Sequence, residues 1–202
     1  HLARADRVLQ PPAMKHAPFL VAFALPVVLT GCALAPVTAP AAADVFIARL
    51  NALCGQAFAG KVVSTDAADA DMASEQLMMR VAECSPTEVR IPFAVGADTS
   101  RTWVITRTAD GLRLKHDHRH QDGSEDAVTQ YGGDSRRADG LSVDFYADEY
   151  TAKLLPVSAS NVWTMALEPG RSFTYALRRE AMNRRFRVDF DLTKPVPAPP
   201  AP

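Results

Sequence analysis

From Phe58 onward apolar and polar residues alternate with a period of two, the pattern of strands with one buried face. Phe58 to Thr65 reads as a first strand. The acidic, Ala-rich stretch Asp66 to Ser74 reads as a loop. Leu77, Met79 and Val81 then alternate with Met78, Arg80 and Ala82, and Val89, Ile91, Phe93 and Val95 with Glu88, Arg90, Pro92 and Ala94. A proline inside that run predicts an edge or a bulge, because it cannot donate to a strand ladder. Trp103 to Thr108 and Leu112 to His120 flank Ala109-Asp110-Gly111, a hairpin signal.

A second hairpin is expected across Asp122-Gly123, with Glu125 to Tyr131 as its return strand and Gly132 to Gly140 as a loop. Leu141 to Tyr146 reads as a further strand, and Ala147 to Leu155 as a helical turn stopped by Pro156. Three strands close the domain. Val162 to Leu167 leads through the Pro169-Gly170 turn to Phe173, Tyr175 and Leu177. Phe186, Val188, Phe190 and Leu192 follow, opposite Arg185, Arg187, Asp189 and Asp191. Before the first strand the period is helical: Asp44 is an N-cap, Val45, Ile47, Leu50 and Leu53 form one face, and Gly55 ends the helix.

Nine or ten short sequential strands, apolar on one face, predict an all-β antiparallel fold, an up-and-down barrel whose closure removes exposed edges. One short helix ahead of such a meander resembles the layout of lipocalins and fatty-acid-binding proteins, which implies a lipocalin-like barrel over residues 44–194. The block Leu-Lys-His-Asp-His-Arg-His, with Asp-Gly-Ser-Glu-Asp and Tyr-Gly-Gly after it, resembles a group of uncharacterised bacterial secreted proteins over much of the region from Phe58 to Leu192. That resemblance implies a shared fold and brings no activity with it.

Residues 1–13, ahead of the first methionine, read as an upstream extension. Met14, Lys15 and the apolar run Phe19 to Leu29 have the form of a secretory signal, the run being shorter than the ~20 residues a spanning helix needs. Leu29-Thr30-Gly31-Cys32 resembles the lipobox of bacterial lipoproteins. The resemblance implies a signal peptide over 14–31, lipidation of Cys32, and a chain that starts at Cys32 after processing. Because Ala33 rather than aspartate follows, it also implies the outer membrane, with the domain in the periplasm. Residues 32–43 read as an Ala/Pro-rich tether and 195–202 as a proline-rich disordered tail. With Cys32 consumed by lipid, the oxidising periplasm makes a Cys54–Cys84 disulfide the expectation, two reduced buried thiols being the alternative.

The whole chain carries 22 Lys and Arg against 23 Asp and Glu. Processing at Cys32 would remove Arg4, Arg7, Lys15 and Asp6, leaving 19 basic and 22 acidic residues, a net −3. No basic stripe stands out, which disfavours a nucleic-acid partner. Arg184, Arg185 and Arg187 cluster on an alternating strand and read as a solvated face.

Candidate chemistry concentrates on the histidine hairpin. His116, His118 and His120 share a strand face with Leu112 and Leu114, so the histidines continue an inward row toward one end of the barrel. With two-residue turns, His116 would lie opposite Ile105 and Thr129, and His118 opposite Trp103 and Ala127. Trp103, Tyr131 and His116 are the expected ligand-binding residues. His118, His120 and Glu125, with His116 as substitute, form a candidate transition-metal set suited to zinc, and haem is a lesser alternative on the same histidines. Histidines satisfied by carboxylates or by solvent are the plainer reading. No nucleophile elbow, Walker loop, dinucleotide fingerprint or Cys-x-x-Cys is present, and no catalytic residue stands out. The function expected is therefore binding of a small apolar ligand or a metal at the His-rich hairpin of a membrane-anchored barrel. The alternatives are an envelope interaction or assembly module and a metal-dependent enzyme. Oligomeric state is left open.

Overall fold

A computed structural model describes residues 41–198. The signal segment, Cys32 and most of the expected tether lie outside the described residues, as do the last four residues of the chain.

Helix α1 (Ala42–Asn51) begins two residues ahead of Asp44, with Ala41 as its N-cap. Asp44 therefore sits in the first turn, where a carboxylate favours the helix dipole, and it pairs with Arg107 at 2.5 Å. The buried face is Ala43, Phe46, Ile47 and Leu50, all part of the barrel core. Arg49 donates to the Gly140 carbonyl at 2.9 Å and Asn51 to that of Ser85 at 2.8 Å. The helix thus closes the end of the barrel at which these loops gather.

Strand β1 (Ala57–Val62) is followed by a short 3-10 turn and helix α2 (Ala70–Ala73) in the region read as loop. The strands β2 (Leu77–Arg80), β3 (Glu83–Cys84), β4 (Glu88–Val95), β5 (Asp98–Thr108) and β6 (Gly111–His118) come next. Then follow β7 (Tyr131–Ala138), β8 (Ser142–Ala147), helix α3 (Glu149–Leu154), β9 (Asn161–Glu168), β10 (Ser172–Arg179) and β11 (Arg184–Val196). All pairings are antiparallel. The sheet runs β2-β1-β11-β10-β9-β8-β7-β6-β5-β4-β3, and β2 also pairs with β4, which closes it. Ten strands make an up-and-down barrel; β3 is a two-residue continuation of β2 along β4. The expected all-β fold is what forms.

Pro92 falls where β4 changes partner. Phe93 to Val95 pair with β2, Val89 and Arg90 with β3, and the missing proline amide sits in the gap between them. Cys54 and Cys84 form a disulfide, Cα–Cα 6.1 Å, tying the chain after α1 to β3. Closing a loop of about thirty residues contributes about 3–4 kcal/mol in the chain-entropy model. The carboxyl end departs from the sequence reading: Pro195 and Val196 are part of β11, paired with Phe58 and Ala57.

The main departure is at β7. Gly132 and Gly133 resemble a turn signal, and yet they lie inside the strand. A Cβ on Gly132 would run into the Leu114 carbonyl of β6, and one on Gly133 into the Tyr146 carbonyl of β8. Gly132 also has φ +148°, a conformation side chains rarely adopt. The hydroxyl of Thr151, fully buried on α3, accepts from the Gly132 amide at 2.7 Å and donates to its carbonyl at 2.8 Å. The glycines are there because helix and strands approach too closely for side chains.

Below its open end the barrel is filled. Phe58, Ile91, Ile105, Leu112, Leu114, Phe145, Met165, Phe173 and Phe190 are all fully buried.

Candidate functional site: an aromatic cup at the open end of the barrel

At the end opposite α1 the filling stops, leaving a cavity of about 300 Å³ among the ends of β5, β6, β7, β9, β10 and β11. Its walls include Trp103, His116, Tyr131, Trp163, Tyr175 and Phe186. These side chains share the inward parity of their strands, and Ala68, Asp69 and Met72 after β1, with Leu155 and Ser158 after α3, complete the lining. Phe93, Trp103 and Tyr175 form a stacked column, with centroids 4.7 and 4.4 Å apart. His116 stacks on Tyr131 at 4.4 Å and meets Trp163 at 5.2 Å.

The register that builds this cup differs from the expected one. The first hairpin turns at Ala109-Asp110, with Thr108 opposite Gly111, so Trp103 faces His116 and Arg101 faces His118. That is a two-residue displacement, which preserves the inward parity. The second hairpin does not form as expected. Arg119 makes a single bridge to Glu125, residues 119–130 loop out, and β7 begins at Tyr131 opposite His116. The loop is held by side chains: Thr129 accepts from the His118 amide at 2.8 Å, and the Tyr150 hydroxyl donates to the Thr129 carbonyl at 3.1 Å.

The sequence-derived ligand residues Trp103, His116 and Tyr131 are brought together in this wall, with His118 beside them. The sequence-derived metal set is not gathered. His118 lies in the cup, its Nε2 3.3 Å from the Tyr131 hydroxyl. His120 is beyond the end of β6, exposed, 4.0 Å from Asp126. Glu125 accepts from Arg119 at 3.4 Å and from Gln130 at 3.1 Å. Both donors also bind the outward-facing Asp117, so the three candidate ligands are split between the cup, the rim and the outer surface. His116, the substitute, has both ring nitrogens engaged. Among the described residues no group of three or more His, Cys, Asp or Glu is placed to hold a metal ion.

Burial sets the charge of the cup. It pushes the His116 imidazole down to about 3, against the smaller effect of its bond to the Tyr131 carbonyl, so His116 is neutral at pH 7. Half-burial, aided by the nearby Arg101 charge, lowers His118 as well. Burial pushes the Tyr131 phenol up to about 12. It also raises Tyr175 well above the ordinary phenol range, with the neighbouring Tyr131 phenol adding to the rise. The aromatic wall is therefore neutral and polar-tipped.

Sequence reasoning passed over Trp163, Tyr175, Asn161 and three arginines of the cup: Arg101, Arg179 and Arg184. The arginines had a readable signal. Arg179 follows Phe173, Tyr175 and Leu177 on the inward parity of β10, and Arg184 precedes Phe186, Val188 and Phe190 on that of β11. Arg184 is thus no part of a solvated face: it turns in and binds Asp69, a 3%-exposed carboxylate.

Comparison with protein-family models, curated proteins and solved structures finds no match for this chain. The barrel is compatible with a lipocalin-like layout, and nothing about its activity comes from a relative.

Proposed function

We propose that this chain is a periplasmic β-barrel, anchored to the outer membrane through lipid on Cys32, that holds a small organic ligand in its aromatic cup. The observation that carries the reading is the cavity itself. It is concave, walled by aromatic side chains, and supplied with a few convergent polar groups, the general character of small-molecule sites. A core that served only stability would gain by filling that layer with apolar side chains; here a space stays unfilled beside the buried Trp103 and Trp163. The anchoring half of the proposal rests on the Leu29-Thr30-Gly31-Cys32 motif, and the Cys54–Cys84 disulfide fits an oxidising compartment.

N-phenyl-naphthylamine, a neutral aromatic probe, tests the binding half on the chain carrying Cys32→Ser, so that no lipid competes. Leu177 lines the cup from β10, and Leu177→Trp fills it. Probe fluorescence should rise saturably with the parent chain and be lost with Leu177→Trp at unchanged thermal stability. Equal binding by both would overturn the reading. For the anchor, the unsubstituted chain should sediment with membranes and Cys32→Ser should not; identical partition would remove the lipid.

A further inference from the structure

The cup carries an excess of positive charge that its own residues do not balance. Its lining sets three arginines, Arg101, Arg179 and Arg184, against one carboxylate, Asp69. Asp69 is committed to Arg184, and it also accepts from the Ser64 hydroxyl at 2.6 Å. Arg101 is neutralised from outside, by the exposed Asp98 at 2.7 Å.

Arg179 is different. Its Nε donates to the Asn161 amide oxygen at 2.7 Å, one terminal nitrogen to the Ser158 hydroxyl at 3.3 Å and the other to the Met182 sulfur at 3.7 Å. All three partners are neutral, and no carboxylate among the described residues pairs with it. Asn161 and Ser158 are themselves buried, so the guanidinium is held by a structured shell on the cup wall. An arginine fixed this way, with donors in a planar fork, is a receptor for a carboxylate, sulfonate or phosphate group.

The depth of the cup limits what else the ligand contains. The layer beneath is closed by Phe173, Phe190 and Leu114, all fully buried, so a long chain has no channel to enter. The walls are ring faces and edges, which favour a planar ring over an aliphatic segment. Resting on the proposed ligand-binding role of this cup, we infer that its ligand is a compact aromatic anion, with the ring against the Trp103–Tyr175 and His116–Tyr131 stacks and the charged group on Arg179.

Two probes of nearly the same shape separate this inference from the reading beneath it. Anilinonaphthalene sulfonate is N-phenyl-naphthylamine with one added sulfonate. The chain carrying Cys32→Ser should bind the sulfonate probe at least about tenfold more tightly than the neutral one, the equivalent of one charge-assisted contact. Arg179→Gln should abolish that preference, and Arg179→Lys should restore part of it, as a point charge without the fork. Circular dichroism and melting temperature identify a variant that has lost its fold. Arg187→Gln, on the outer face of β11, controls for anion binding at surface arginines and should change nothing. If neither probe binds in the cup, the ligand-binding reading itself fails. If the neutral probe binds and the sulfonate gains nothing, or gains equally in Arg179→Gln, the cup binds ligands and the anion inference is wrong.

Discussion

The Nε2 of His116 lies 2.8 Å from the Tyr175 hydroxyl, both groups buried at the base of the cup. The other ring nitrogen is 3.1 Å from the Tyr131 carbonyl, which can only accept. Nδ1 therefore carries the proton, Nε2 is the acceptor, and Tyr175 donates to it. This one bond joins β6 to β10 across the barrel interior and fixes two of the cup's aromatic faces. It requires a neutral imidazole.

That requirement makes the fold acid-sensitive at one residue. His116 has a folded value of about 3 against an ordinary 6.5, so between these limits the unfolded chain binds a proton that the folded chain does not. The contribution is intact above the unfolded value and is lost as pH falls through 6.5 toward 3, by up to about 1.4 kcal/mol per pH unit. Carboxylates titrate in the same range, so the informative quantity is a difference. The stability gap between the parent chain and His116→Gln should be largest at pH 7 and shrink on going to pH 4, measured by urea unfolding. Parallel pH curves would mean that His116 is not held neutral by burial.

Gly132 is predicted to be intolerant of any side chain. Gly132→Ala would meet the Leu114 carbonyl, strain a φ of +148°, and disturb the Thr151 clamp that docks α3. The expected loss is about 2 kcal/mol or more, read as a fall in urea midpoint. Gly123→Ala, on the exposed loop with nothing within 4 Å of its Cβ position, gives the comparison. Its φ of +83° alone should cost about 1 kcal/mol.

Zinc should find no site built from His118, His120 and Glu125 together. These residues face the cup, the rim and the outer surface respectively, and Glu125 is engaged by Arg119 and Gln130. Calorimetric titration of the parent chain and of Glu125→Gln should give the same isotherm. A micromolar site weakened tenfold or more by Glu125→Gln would show that the 119–130 loop rearranges to gather the three.

Much of the barrel was legible because a period of two survives register error. The first hairpin is displaced by two residues from the expected pairing, and yet Trp103, His116 and His118 keep their inward parity, since an even shift never exchanges faces. The second hairpin was illegible for the opposite reason. Asp122-Gly123 is a good turn signal, but the strand it was expected to start is a loop pinned by the side chains of Thr129 and Tyr150, and no local pattern encodes those contacts. Gly132-Gly133 failed in the same way: two glycines demanded by close packing look in sequence like two demanded by a turn. In the cup, the aromatic residues were partly legible from parity. Arg179 and Arg184 needed a different question, namely why a charge stands on the apolar parity of β10 or β11.

The central claim is that the cup takes a ligand, and the chain carries its own reporters: its two tryptophans, Trp103 and Trp163, both line the cavity. A nitrogen–proton correlation spectrum of the Cys32→Ser chain will show two indole signals, to be followed through a titration with N-phenyl-naphthylamine. Both signals should move and saturate together at the same probe concentration. Indole signals that stay fixed while the probe binds, or a probe that does not bind at all, would contradict a ligand site at the open end of this barrel.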